Sequence, residues 1–292
     1  MTAVTESAVA PRTDLSPDAL LRAIVDDHRV SGTRRRNLPG ERVVDTPTLL
    51  AHVTEVSSPD VNMIARTLFS GADALEVDAA IGDAIALFGR RPFLWWVGPT
   101  VEPADLADRL RAHGLVFLDD IPGMAMDLAD LADMADAPPP AELAIRPVLH
   151  APDLIAFHSV LTHGFPEDFE DDTATRTIMA GTASVAAEIG YREPLGPATR
   201  WLGTVDGRPV ATARLHTGAG VAGIYTVVTI GDVRRRGYGE AMTRVALHAA
   251  RAAGLRIATL QASEAGRGIY ERIGFRELCR FRLFEGRARQ PR

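Results

Sequence analysis

The sequence predicts an α/β protein (α and β mixed) built from two similar units in tandem. Three observations carry that prediction. Strand-like apolar runs alternate with helix-like apolar stripes along most of the chain. The order strand, helix, strand, short helix ending in glycine, strand occurs twice. Between the two occurrences lies an acidic, alanine-rich stretch that closes on Pro138-Pro139-Pro140 and reads as an extended spacer. A length of 292 residues suffices for two domains with real cores.

In order, residues 1–15 carry acidic residues and no continuous apolar centre, so they read as a frayed tail and not a secretory leader. Residues 16–130 form the first expected domain. It opens on a helix from Pro17 to Asp27, with Ser16 placed to cap it. Strands follow at 49–54 and 60–69. A helix at 74–88 carries the stripe Leu75, Val77, Ile81, Ile85 and Phe88. Phe93–Val97 is a strand closed by Gly98-Pro99. Adjacent strand residues face opposite sides, so one of Trp95 and Trp96 is expected in the core and the other between the units. A short helix at 103–113 ends at Gly114, and 124–128 is a last strand.

Residues 131–141 are the expected linker and 142–292 the second domain. That domain opens on a strand at 144–148 and a helix at 153–163 ending at Gly164. An acidic loop at 165–172 and a helix at 173–189 come next. A hairpin then turns on Asp206-Gly207, a strong two-residue turn signal.

The densest chemistry lies between Gly223 and Phe275. A β-rich run at 223–230 leads into Arg234-Arg235-Arg236-Gly237-Tyr238-Gly239, and a helix is expected from Glu240. Its stripe is Met242, Val245, Ala246, Ala249 and Ala253, with Arg244, His248 and Arg251 on the opposite face. Unpaired N–H groups at a helix start attract anions, and glycines let the backbone curl closely round a phosphate. Neighbouring arginines add forked donors. The turn therefore reads as a diphosphate cradle. It has no Gly-Lys-Ser/Thr, and Met242 stands where a dinucleotide fingerprint needs a small residue.

Arg234-x-x-Gly237-x-Gly239 resembles the acyl-coenzyme A loop of the GNAT superfamily of N-acetyltransferases. Tyr270-Glu-Arg-Ile-Gly-Phe275 resembles that family's late YxxxGF element. The resemblance covers roughly residues 143–283. It implies two GNAT-like domains, each a mostly antiparallel mixed sheet flanked by helices, the first one degenerate. It also implies acetyl-CoA as co-substrate and an amine acceptor. The carry-over gives the thioester carbonyl to backbone N–H groups at Val227, Val228 and Thr229. It gives the coenzyme to Arg234, Arg235, Arg236, Gly237, Tyr238, Gly239 and Glu240. Tyr270 takes the general-acid position. Where the family often has asparagine, Ser263-Glu264 stands. Ser263 is assigned to the pantetheine arm, and Glu264 to catalysis as a base or acceptor partner. The general base itself is unassigned, with His216 and the acidic loop as candidates.

Composition bounds the rest. Net charge of −6 argues against a general nucleic-acid binder. All 32 basic residues are arginine, which excludes lysine Schiff-base chemistry. Cys279 is the single cysteine, so neither an internal disulfide nor a cysteine-rich metal site is expected, and no metal is assigned. The second run, Arg34-Arg35-Arg36, lacks glycines and reads as solvated surface. No stretch reaches about eighteen apolar residues, so no membrane partner is expected and a cytoplasmic location is. A homodimer is compatible with these features. Two classes stay open: an acetyl-CoA-dependent N-acetyltransferase and a non-catalytic acyl-CoA-binding or interaction module.

Overall fold

The computed structural model describes residues 9–34, 38–132, 138–164 and 199–286. The acidic loop and the helix expected at 173–189 lie outside these residues, as do Arg35 and Arg36. An amphipathic helix, α1 (Pro17–Gly32), opens the first half. Ser16 sits at its start, yet its side chain makes no capping hydrogen bond. Strands β1 (Arg42–Asp45), β2 (Leu49–Val53) and β3 (Met63–Thr67) follow, then helix α2 (Ala74–Ala86) and strand β4 (Phe93–Val97). Helix α3 (Leu106–Ala112) and strand β5 (Val116–Asp127) complete this half. The strand expected at 124–128 is thus the end of a twelve-residue one.

The second half adds an opening strand and, from β7 on, repeats the order of the first from β1. It runs β6 (Ala144–Pro147), α4 (Ala151–His163), β7 (Arg200–Val205), β8 (Arg208–His216) and β9 (Ala222–Thr229). Helix α5 (Tyr238–Ala252), β10 (Ile257–Gln261), α6 (Glu264–Ile273) and β11 (Arg276–Gly286) follow. At the hairpin tip Asp206 (φ 49°) and Gly207 (φ 79°) are both left-handed, as a twisted two-residue turn requires.

The eleven strands among the described residues form one mixed sheet, ordered β1-β2-β3-β4-β11-β5-β10-β9-β8-β7-β6. Each half is antiparallel except where β3 meets β4 and where β9 meets β10, which run parallel. The halves exchange their last strands. β11 pairs with β4 of the first half, β5 pairs with β10 of the second, and the two pair with each other at the centre. Neither half's sheet is complete without a strand from the other.

The core is divided accordingly. One cluster joins α4, α5, β5 and β7 to β10. A second joins α2 and α3 to β2–β4 and Phe284 of β11. A third lies under α1 and draws on β5, β10 and β11. Trp95 is fully buried in the second cluster, and Trp96, half-buried on the other face, packs against the third. Leu75 leaves the expected stripe of α2. It is 79% exposed, while Val77, Ile81 and Ala84 carry the buried face. Helix α5 starts at Tyr238, two residues before the expected Glu240. Tyr238, Ala241, Met242, Ala246 and Ala250 form much of its buried face, and Ala253 is exposed. Arg244, expected outside, is buried with its guanidinium 3.0 Å from Glu240.

Candidate active site

The site is built where two parallel strands part. β9 and β10 pair only through Ala222–Ala258 and Gly223–Thr259, and beyond those residues they diverge. β9 also bulges. Arg214 faces Tyr225 and Thr212 faces Val228, so Thr226 and Val227 together oppose Ala213. Thr226 takes a left-handed φ of 49°, and Thr212 Oγ1 donates to its carbonyl at 2.8 Å. Past the bulge, Val227, Val228 and Thr229 are half-buried and keep β8 on one side.

At the mouth of this split the chain turns into α5. Gly237 is the N-terminal cap residue with φ 82°, and no side chain caps the helix. The first-turn N–H groups are therefore left for a ligand, at the positive end of the helix dipole. A Cβ on Gly237 would meet only Pro140 Cγ at 3.6 Å, so backbone conformation is what requires glycine there. At Gly239 the nearest atoms to such a Cβ are Thr229 Oγ1 at 3.7 Å and Ile269 Cδ1 at 3.9 Å. That open surface admits close approach of an anion to the backbone. The donor set and the uncapped helix start fit a diphosphate.

The arginines divide their work. Arg234 Nε donates to the Thr229 carbonyl at 3.1 Å, and its terminal nitrogen donates to the Gly164 carbonyl. It braces the end of β9 against α4 while remaining exposed. Arg235, left-handed at φ 62°, and Arg236 are exposed beside the turn. Tyr238 is buried, and its hydroxyl donates to Glu142 Oε1 at 2.9 Å, so its side chain ties the turn to the start of the second half. Glu240 turns its carboxylate onto Arg244. What Tyr238 and Glu240 can offer a ligand is their backbone.

Helix α6 flanks this turn, with Ile269 against Gly239 and Arg272 Nη2 4.0 Å from Glu240. Tyr270 packs its ring edge-on to Phe275, with centroids 6.0 Å apart. Gly266 leaves room for that ring. The Tyr270 hydroxyl makes no hydrogen bond among the described residues, and burial pushes its pKa up to about 12. The phenol therefore holds its proton at neutral pH. Ser263 caps α6, its Oγ accepting from Gly266 N at 3.2 Å. Glu264 is exposed in the first turn of α6, where a carboxylate suits the helix dipole. Cys279 is part-buried in β11 with its thiol pushed up to about 12 by burial, which makes it a packing residue.

The first half closes the equivalent position. Helix α2 stands between β3 and β4 as α5 stands between β9 and β10. Its cap, Asp73, accepts from the N–H groups of Leu75 and Glu76, while Glu76 accepts from Asp73 N. Two carboxylates thus occupy the donors that a phosphate would need, and their charge repels one.

One feature escaped sequence reasoning. Asp27 of α1 is fully buried and accepts from Tyr225 Oη at 2.7 Å, Thr259 Oγ1 at 2.9 Å and His216 Nδ1 at 3.1 Å. These partners lie on β9, β10 and β8 at the apex of the split. Burial, then the Asp27 charge, raises the Tyr225 pKa well above its ordinary value. His216 is thus committed to a carboxylate from the other half. The available signal was an aspartate on the apolar stripe Leu20, Ala23, Ile24 and Asp27.

A split parallel pair with an uncapped, glycine-opened helix at its mouth leaves a cleft whose backbone donors suit an anion. Residues 157–275 match the model of the acetyltransferase (GNAT) family. That family uses acetyl-CoA. A GCN5-related N-acetyltransferase from Kribbella flavida overlays with a TM-score of 0.64 at 20% identity, covering 95% of this chain and 98% of that one. A conserved protein of unknown function from Staphylococcus epidermidis overlays with a TM-score of 0.62 at 12% identity, covering 86% and 95%. A tandem GNAT protein from the clavulanic acid biosynthesis pathway overlays at 0.52 and 14% identity, covering 97% and 99%. At these identities the likeness speaks for the fold. No protein of curated function matches the sequence. Among the described residues no cluster of three or more His, Cys, Asp or Glu is placed to hold a metal, and no helix is long and apolar enough to cross a membrane.

Proposed function

We propose that the chain is an acetyl-CoA-dependent N-acetyltransferase that acts on a primary amine by direct attack on the thioester, with its site in the second half alone. The observation that carries this reading is the uncapped start of α5, opened by left-handed Gly237 at the mouth of the β9–β10 split. When bound, acetyl-CoA supplies the activated acetyl group. The backbone N–H groups of Tyr238, Gly239 and Glu240 take the diphosphate, with Arg235 and Arg236 beside them. A backbone N–H among Val227–Thr229 takes the carbonyl oxygen, a contribution typically worth about 3 kcal/mol as negative charge grows there. The amine nitrogen bonds to the carbonyl carbon and the carbon–sulfur bond breaks. The Tyr270 hydroxyl gives its proton to the departing thiolate, and the acceptor nitrogen loses one to water. Ser263 holds the pantetheine arm, and Glu264 attracts a cationic acceptor.

Tyr270→Phe tests the chemistry because it keeps the ring and removes only the hydroxyl. With an amine panel and thiol release as readout, kcat is expected to fall by about 10²-fold while acetyl-CoA affinity holds. Unchanged kcat would remove Tyr270 from the reaction. Binding of acetyl-CoA without thiol release on any amine would favour a binding module instead.

A further inference from the structure

At the apex of the β9–β10 split a row of residues crosses three strands. His216 of β8 faces Gly223 of β9, and Gly223 faces Thr259 of β10, the last pair before the strands part. Asp27 of α1 lies over this row. A Cβ on Gly223 would collide with both carboxylate oxygens, so glycine is what admits an acid from the first half here. Asp27 Oδ2 accepts from Tyr225 Oη and Thr259 Oγ1, which leaves Oδ1 to His216 Nδ1 at 3.1 Å.

That last contact fixes a tautomer. A carboxylate only accepts, so Nδ1 carries the proton of the neutral ring and Nε2 keeps its lone pair. Nε2 makes no hydrogen bond among the described residues. Gly218 leaves that edge open, since a Cβ there would sit 3.0 Å from Nε2. The charged and titratable groups around the ring are Asp27 of α1, Tyr225 of β9 with ring centroids 6.3 Å apart, and Arg214, paired across the strands with Tyr225. Arg12, on the segment that bonds Gly220, is taken up by Asp26. A fixed tautomer with an open acceptor nitrogen is what a general base requires. The bulge at Thr226–Val227 lies roughly 10–13 Å along β9 from this row. Thr226 Oγ1, buried with no partner among the described residues, lies on the way and can hold a water.

We propose that His216 Nε2 is the proton acceptor for the amine, and that Asp27 is a positioning residue supplied by the first half. The inference rests on the transferase reading above. As the amine nitrogen bonds to the thioester carbon, its proton passes through a water to Nε2, while the thiolate takes the Tyr270 proton. His216 ends protonated and Tyr270 ionised, and exchange with solvent resets both. The substrates stay in the second half, and the first half contributes orientation.

Heteronuclear NMR of the histidine ring nitrogens in the full chain reads the tautomer without an acceptor, with His216→Gln assigning the signal. The neutral His216 ring is expected to be unprotonated at Nε2. In Asp27→Asn the tautomer should reverse, because the amide turns its N–H to Nδ1 while its oxygen keeps Tyr225 and Thr259. A neutral parent ring protonated at Nε2 would overturn the proposal. The kinetic arm follows thiol release from acetyl-CoA with the best amine of the panel. His216→Gln and Asp27→Asn should each lower kcat by about 10²-fold with acetyl-CoA affinity unchanged. His216→Gln should also remove the acid-side fall in kcat, whereas a merely structural loss lowers the profile without changing its shape. Parent-like kcat in His216→Gln, or an acid limb that survives it, would overturn the proposal and leave the transferase reading intact. Thiol release on no amine would instead refute that reading, and this inference with it.

Discussion

The two halves share the order of three strands, helix, strand, helix and strand, and differ at the start of the first of those helices. Both split a parallel strand pair, and both place a helix at the split. In the second half the helix opens on left-handed Gly237 and no side chain caps it. In the first half Asp73 and Glu76 form a reciprocal capping box that takes the same N–H groups. A fold can therefore lose its phosphate site without losing the element that built it, because the donors only need another acceptor. A capping aspartate also stabilises its helix by about 1 kcal/mol, so the closed half gains locally from what it gave up. The open half carries the unsatisfied donors, where the proposed chemistry would lie.

The halves are also unequal partners in stability, and this gives the largest expected effect. A fragment beginning at Glu142 lacks α1 and β5. It leaves β10 and β11 without the strand between them and uncovers the α1-facing surface. It is expected to show no cooperative unfolding transition by circular dichroism. A fragment with native-like cooperativity would show that the halves are independent.

The next effect comes from the buried link between them. Asp27→Ala orphans the donors of Tyr225, Thr259 and His216 at the apex of the split, and should cost roughly 3 kcal/mol or more in urea unfolding. A loss under about 1 kcal/mol would mean that the network is incidental to the joint.

A comparable but pH-limited effect belongs to His28. Burial lowers its pKa from 6.5 to about 4 in the folded chain. Between those values the unfolded chain binds the proton and the folded chain does not, so stability is lost as pH falls through that window. The loss approaches about 3 kcal/mol at its lower end. His28→Gln should flatten this part of the stability–pH profile relative to the parent chain. Parallel profiles would contradict the assignment.

Much of this was legible in the sequence because it is local. Asp206-Gly207 specifies its turn through two backbone conformations. Gly237 marks the cradle because its left-handed backbone favours glycine, Gly239 because it leaves the helix start open, and the resemblance to the GNAT loop and YxxxGF element locates its flanking helix. Pairing across the halves was not legible. Nothing in Val116–Asp127 or Arg276–Gly286 states which edge each strand joins, since register and partner follow from non-local packing. Side-chain commitments were equally hidden. Arg234 reads as a phosphate arm in sequence, yet bonds two backbone carbonyls. Leu75 fits a stripe by spacing but faces solvent, because at the first turn of α2 no element covers it.

The account stands most directly on the number of coenzyme molecules the chain holds. Calorimetric titration of the intact protein with acetyl-CoA is expected to give one site per chain. Gly237→Val should abolish that site while the protein stays folded, because a branched side chain strains a φ of 82° and crowds the cradle. Two sites per chain, or binding by the Gly237→Val protein at the parent affinity, would contradict the division between an open half and a closed one.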